Sequence, residues 1–361
     1  MKICLLTLTF APDATGGRAR YARDIYTELV KRGHQVYVIT GLWTRKLKAK
    51  NVFQIKIPKA RYFWFPFWLL GAIKLIMSQQ FDIIHTNGYR ESLVCQFLKK
   101  PYITTSHDIG AFELNIPLLR KLLIRDAINA RKVIVPTEVI KQKLIEKLPF
   151  LSTDKIVPLH NGVDTNKFTI NINGGNLQKE LNIQQFKIIL YLGRIAFYKG
   201  VLEIIKAYNI VKKEITNAKL LIGGAPTLKM KSEYNKWKKE HTDVLFTDFI
   251  PEEKIAEYYA LADIFVTFSY SAEGFGLTLV EALACGTPVI CSDLPAYREV
   301  LRNYGQFVPP RDIIALSKTM IRLLKDDERR IKLGIDGASF VKENFSWSKY
   351  VDQLIKIYQM V

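Results

Sequence analysis

Ser269-Tyr-Ser-Ala-Glu-Gly-Phe-Gly-Leu-Thr-Leu-Val-Glu281 sets two carboxylates eight positions apart around a glycine-rich turn. Gly274 and Gly276 follow Glu273, and an apolar run of helical character carries Glu281. A helix opening just after those glycines turns its first amide N–H groups and the positive end of its dipole outward. The main chain of Gly274, Phe275, Gly276 and Leu277 can then meet an anion. Glu281, inside the first turns, can accept two hydrogen bonds from a vicinal diol. Anion-binding amides, a diol acceptor and a second carboxylate in one segment suit a sugar nucleotide. For the two glutamates alone, a surface turn with a capping carboxylate is the plain alternative.

The rest of the chain alternates short β-branched runs with helical stretches. In the first half the strand candidates are Lys2–Thr9, Gln35–Thr40, Asp82–Thr86, Tyr102–Thr105 and Lys132–Pro136. Tyr21, Ile25 and Leu29 recur at helical spacing ahead of Gly33, a natural helix stop. A second series runs Lys187–Leu192, Lys219–Ile222, Val244–Thr247, Ile264–Thr267 and Pro288–Cys291. Such alternation predicts doubly wound parallel sheets, with ligands beyond the carboxyl ends of the strands. The polar, Asn/Gly-rich stretch within Thr165–Gln185 reads as the linker, giving an α/β chain of two Rossmann-like domains with a cleft between them. The expected boundaries are 1–165, 166–345 and an amphipathic tail helix, 346–361.

Three further loops carry candidate chemistry. Gly16 and Gly17, in Phe10-Ala-Pro-Asp-Ala-Thr-Gly-Gly-Arg-Ala-Arg20, let the backbone approach a ligand closely, and the absence of G-x-G-x-x-G disfavours a nicotinamide cofactor. In Tyr191-Leu-Gly-Arg-Ile-Ala-Phe-Tyr-Lys-Gly200, Arg194 and Lys199 follow a buried strand across a short loop. A planar guanidinium fork and a mobile ammonium would offset a pyrophosphate and steady the charge that grows on a leaving diphosphate. His107 lies just past another strand, in Thr104-Thr-Ser-His-Asp-Ile-Gly110.

Taken together, these segments resemble retaining glycosyltransferases of family 4, which have the GT-B fold. Glu273 and Glu281 match the family's E-x7-E signature, and Arg194 and Lys199 match its G-R-x-x-x-x-K-G pattern. Weaker matches are Asn161-Gly-Val-Asp164 and Gly286-Thr-Pro-Val-Ile-Cys-Ser-Asp293, both read as scaffold. The similarity runs in order from about residue 2 to Phe345-Ser-Trp347. It implies that Glu273 contacts donor-sugar hydroxyls, that Glu281 holds the ribose, and that the Gly16-Gly17 loop closes over the donor phosphate and the acceptor. It also implies that His107 contacts the donor sugar near the reacting carbon and that Phe249 and Ile250 lie against the base. The tail helix would cross back to the first domain. His107, Arg194, Lys199 and Glu273 are the catalytic set, with a nucleoside-diphosphate sugar as co-substrate, UDP and GDP both open. No cofactor and no metal are expected: there is no Asp-x-Asp, and His85, His107 and His160 belong to separate strand ends.

Composition bounds what else is open. The 361 residues fit two domains, and 48% apolar with 24% charged residues is ordinary for a globular protein. Cys4, Cys95, Cys285 and Cys291 show no C-x-x-C spacing and read as buried reduced thiols. The first apolar run is too short for a signal peptide, which points to the cytoplasm. Net charge is +19, and residues 1–165 hold +14 of it, with 26 Lys/Arg against 12 Asp/Glu. No nucleic-acid module accompanies that charge. Between Lys59 and Met77 runs an aromatic stretch whose uncharged core, Tyr62–Ile73, is too short to span a bilayer. It reads either as a core helix with its loop, or as an interfacial element that, with the basic cluster from Arg45 to Arg61, holds residues 45–77 on anionic lipid at the inner membrane face. The resemblance favours a glycan or lipid-linked acceptor. Two other readings stay open: a sugar-nucleotide epimerase of the same fold, and a non-catalytic basic binder of lipid or nucleic acid.

Overall fold

The computed structural model describes residues 1–14, 16–58, 64–107, 117–271 and 273–361. Outside them fall Lys59–Phe63 of the aromatic stretch, Asp108–Gly110 beside His107, Thr15 of the glycine loop and Ala272. The chain divides into two compact units, Met1–Gly162 with Trp347–Val361, and Val163–Ser346.

In the first unit the strands are β1 (Lys2–Leu6), β2 (Gln35–Leu42), β3 (Val52–Lys56), β4 (Ile83–Thr86), β5 (Ile103–Thr105), β6 (Lys132–Val135) and β7 (Ile156–Pro158). They pair in parallel in the order β3-β2-β1-β4-β5-β6-β7. The chain winds outward from β1 to β3, then restarts at β4 on the other side of β1, so the order reverses between β1 and β4. Both faces are covered, which is why the central strands read as continuous apolar runs. Along β1, Ile3 and Leu5 join one core cluster and Cys4 and Leu6 the opposite one.

On the Ile3 face pack the helix Gly17–Lys31, through Tyr21, Ile25 and Leu29, and the terminal helix Trp347–Gln359, through Trp347, Tyr350, Val351, Leu354, Ile357 and Tyr358. The first of these helices stops where Gly33 takes φ +77. On the other face the helix Trp64–Met77 buries Trp68, Ala72 and Ile76, spaced four apart. Its remaining face holds Phe67, Leu70, Lys74 and Met77, all exposed. The core-helix reading and the exposed apolar face are thus two sides of one element.

In the second unit β8 (Lys187–Leu192), β9 (Ala218–Gly223), β10 (Leu245–Asp248), β11 (Ile264–Thr267), β12 (Val289–Ser292) and β13 (Gly305–Val308) form a parallel sheet ordered β10-β9-β8-β11-β12-β13. Here the order reverses between β8 and β11. The stretch 165–185, expected as a linker, is instead folded into this unit. Phe168, Leu177 and Ile183 are buried in its core, and Gly174 lies so close to Leu261 that a Cβ would strike its backbone. The apolar residues there are spaced too widely to show a period, which is what made the segment look unstructured. All four cysteines are buried and free, and burial pushes each thiol upward, Cys285 to about 12. No helix among the described residues is long and apolar enough to cross a membrane.

Candidate active site

Loops leaving the two strands at a reversal point splay apart and leave a crevice at the carboxyl edge of a parallel sheet. In the second unit those loops follow β8 and β11, and they carry Arg194, Lys199 and Glu273. Lys199 ends a short turn, Phe197–Lys199, and Gly200 takes φ +63 to open the helix Val201–Glu214. A Cβ on Gly200 would collide with the carbonyl oxygen of Phe268, so glycine lets the β8 loop lie directly on the end of β11. The Tyr270 amide donates to the Tyr198 carbonyl at 2.8 Å and fastens the two loops.

That packing brings Lys199 Nζ to 2.5 Å from Glu273 Oε1, and Ser269 Oγ donates to the same oxygen at 3.0 Å. Arg194 is exposed, and its Nη2 donates to the Tyr198 hydroxyl at 2.7 Å. Tyr198 thus stands between the two cations, with Lys199 Nζ 5.4 Å from its ring centre. Burial, then the neighbouring Glu273 and Tyr198, hold the Tyr191 phenol well above its usual range, so it stays neutral behind the loop.

Gly276 takes φ +86 and caps the helix Leu277–Ala284, whose first turn holds no acidic residue to neutralise its amides. Gly274 and Phe275 lead into it, the Phe275 ring buried against Phe345. Glu281 is buried on this helix and accepts the Tyr259 hydroxyl at 3.0 Å. Phe249 is 58% exposed beyond β10, whereas the Ile250 side chain is in the core and packs against Gly223. The Ile250 side chain is therefore committed to the core.

In the first unit the reversal point lies between β1 and β4. Gly16 takes φ +107 and Gly17 starts the helix that follows β1. His107, half-buried past β5, hydrogen-bonds through Nε2 to Asn87 Oδ1 at the end of β4 and stands edge-to-face on Tyr21, 4.6 Å between ring centres. Burial lowers its pKa well below the usual imidazole value, and the Arg18 charge and the neighbouring His85 ring add to that. Arg18 Nη2 donates to the Asn87 carbonyl and, at 2.9 Å, to Glu91, a carboxylate only 1% exposed that also accepts the Leu8 amide at 3.1 Å.

Arg18, Tyr198 and Ser269 lie within the chemistry-bearing stretches but carry no role that their spacing shows, and Asn87, Glu91 and Tyr259 lie outside those stretches. For Asn87 the signal was its place directly after a buried strand. Among the described residues no cluster of three or more His, Cys, Asp or Glu could hold a metal ion.

A fold of this kind, with paired reversal-point loops, is shared with known GT-B glycosyltransferases. Anabaena HepE, solved with UDP and glucose, superposes with a TM-score of 0.85 at 16% identity over the whole of both chains. Sucrose-phosphate synthase from Thermosynechococcus elongatus gives 0.80 at 22% identity, covering 100% of this chain and 99% of that one. Residues 15–167 match Glycosyltransferase Family 4 and residues 175–340 match Glycosyl transferases group 1. The alpha-monoglucosyldiacylglycerol synthase of Streptococcus pneumoniae is 31% identical over 84% of this chain and 74% of its own length. The N-acetyl-alpha-D-glucosaminyl L-malate synthase of Bacillus anthracis is 26% identical over 96% and 94%. The chain belongs to this family of glycosyltransferases.

Proposed function

We propose that the protein is a retaining hexosyltransferase that moves a hexosyl unit from a nucleoside-diphosphate sugar to an acceptor hydroxyl, in the synthesis of a glycan, polysaccharide or glycolipid. The observation that carries this reading is the convergence of Lys199, Glu273 and, through Tyr198, Arg194 at the reversal point of the second sheet. The diphosphate lies on Lys199, Arg194 and the amides opening the Leu277–Ala284 helix, and Glu273 accepts from sugar hydroxyls. Glu281, oriented by Tyr259, takes the ribose diol. Phe249 and the Ile250 main chain flank the base, and the first unit receives the acceptor near Gly16, Gly17 and His107.

The bond from the anomeric carbon to the phosphate oxygen breaks as the acceptor oxygen bonds to that carbon on the same face. The acceptor proton passes to the departing phosphate oxygen, so no protein nucleophile is used. Lys199 and Arg194 stabilise the charge that builds on the diphosphate, and the remaining residues position the reactants. No metal takes part in this scheme.

The named lipid product of the Streptococcus relative supports a lipid-linked acceptor, as does the exposed Phe67-Leu70-Lys74-Met77 face. That face would rest on anionic lipid.

A thermal-shift and turnover panel of UDP- and GDP-sugars tests the reading. One donor should raise the melting temperature by mass action, and its consumption should survive chelation. Glu281→Ala should abolish turnover. A donor whose sugar changes configuration with no acceptor present would make the protein an epimerase instead.

A further inference from the structure

A chain of hydrogen bonds at the reversal point of the first sheet determines which nitrogen of His107 carries its proton. Carbonyl oxygens only accept, and two of them anchor the chain. The Thr7 hydroxyl donates its one proton to the Thr9 carbonyl at 2.8 Å, so toward Asn87 it can only accept. Asn87 Nδ2 donates to that hydroxyl at 3.0 Å and to the Arg18 carbonyl at 3.1 Å. The amide orientation of Asn87 is thereby fixed, and Oδ1 is the atom turned to His107. Because Oδ1 accepts only, the nitrogen facing it, Nε2, bears the hydrogen.

The clamp is held on several sides. Asn87 is 5% exposed, and its amide donates to the Leu6 carbonyl at 2.9 Å. Its own carbonyl accepts Arg18 Nη2, which Glu91 pins in turn. Tyr21, edge-to-face at 86°, sets the plane of the imidazole. Nδ1 makes no hydrogen bond among the described residues. Burial of the ring, with Arg18 and His85 nearby, favours the uncharged form that such a clamp requires.

We propose that Asn87 is a positioning residue that locks His107 as its Nε2–H tautomer, so that Nδ1 meets a hydroxyl of the bound saccharide as a hydrogen-bond acceptor. The lock stands on geometry alone, and its saccharide partner rests on the function proposed above. A hydroxyl-bearing sugar satisfies Nδ1, whereas a carboxylate in the same place would set one acceptor against another.

The test uses the full chain labelled with 15N-histidine. Two-bond 1H–15N spectra at neutral pH, with His107 assigned by its loss in His107→Gln, should show a protonated Nε2 and a bare Nδ1. Asn87→Leu removes the acceptor and should give a mixture of tautomers while His85 keeps its signals. With a turned-over donor from the UDP/GDP panel, its kcat should fall about tenfold or more and its KM change little. Thr7→Val frees the Asn87 amide without touching His107. It should shift the tautomer in the same direction by less, and it serves if the leucine variant does not fold. A wild-type His107 protonated at Nδ1, a tautomer unmoved by both variants, or an unchanged kcat overturns the proposal. A lock that answers to both variants in a protein that turns over no sugar nucleotide upholds the positioning and overturns the proposed function.

Discussion

Lys199 Nζ lies 2.5 Å from Glu273 Oε1, and the two side chains are 18% and 11% exposed. The pair ties together two loops that are 74 residues apart in the chain. Removing either partner alone leaves the other charge in a mostly desolvated place. Lys199→Met and Glu273→Gln should each destabilise the protein, and the double variant should cost less than their sum. A coupling of about 1–2 kcal/mol is expected in a denaturant double-mutant cycle. On the proposed donor contacts, each single variant should lose about 100-fold or more in kcat, because neither residue can do the other's part.

Glycines at the two reversal points should respond differently to alanine. Gly200 combines φ +63 with a Cβ position that meets the Phe268 carbonyl, whereas a Cβ on Gly16, at φ +107, meets nothing within 4 Å. Gly200→Ala should therefore cost more than the roughly 1–3 kcal/mol of backbone strain alone, and Gly16→Ala no more than that. Equilibrium unfolding of the two variants side by side measures the difference.

Acid should weaken the first unit with two different slopes. Burial holds His85 at about 3, against an ordinary value of 6.5, between the hydroxyls of Tyr358 and Thr105, each at 2.7 Å. Below pH 6.5 the unfolded chain takes up a proton that the folded state refuses, so stability falls with pH by about 1.4 kcal/mol per unit for this group. His107, also lowered, acts in the same direction. Asp126 opposes them: burial raises it to about 6 from 3.8, so the folded state takes its proton first and gains as pH falls through that window. The expected profile is a shallow loss between pH 6 and about 3.8 and a steeper one from there to about 3, where folded His85 takes up its own proton. Urea midpoints against pH check this, and Asp126→Asn should steepen the shallow part.

The exposed face of the helix Trp64–Met77 makes a separate prediction. Phe67→Ser with Leu70→Ser should sharply reduce sedimentation with anionic vesicles at low salt and leave turnover of a soluble acceptor unchanged. Binding that survives in the double variant, or that ignores ionic strength in the parent, would rule out the proposed lipid contact.

The central strands were legible because both faces of a parallel sheet are buried and the runs are uninterruptedly apolar. The strands that escaped notice, β3, β7 and β13, are all at sheet edges. β3 has no fully buried residue, β7 ends in Pro158, and β13 begins at Gly305. Edge positions relax the very pattern that identifies a strand. Within the candidate site, residues lying in one local stretch (Glu273 to Glu281, Arg194 to Lys199) were recognisable by spacing. Asn87, Arg18 and Glu91 were not: the pairing of β4 with β5 sets Asn87 beside His107, and the reversal of strand order at β1 and β4 brings Arg18 to Asn87 and Glu91. The buried line from Tyr350 through Tyr21 and Thr105 to His85 and Tyr358 joins residues as much as 329 positions apart and has no local signature at all.

The helix Trp347–Gln359 belongs to the opening unit, while Val163 and Ser346, the two ends of the other unit, are bridged and the Val163 amide bonds Phe345 at 2.6 Å. In construction the second unit is therefore an insert, its termini already stapled side by side. The segment 163–346 should tolerate expression alone or circular permutation far better than the remainder tolerates trimming. Cutting the chain after Ser346 would strip away Trp347, Tyr350, Val351, Leu354, Ile357 and Tyr358, each contributing about 1.5–3 kcal/mol by burial. Together they rival the whole net stability of an ordinary domain, about 5–15 kcal/mol. Damage at the carboxyl terminus would be felt at the amino-terminal end of the molecule.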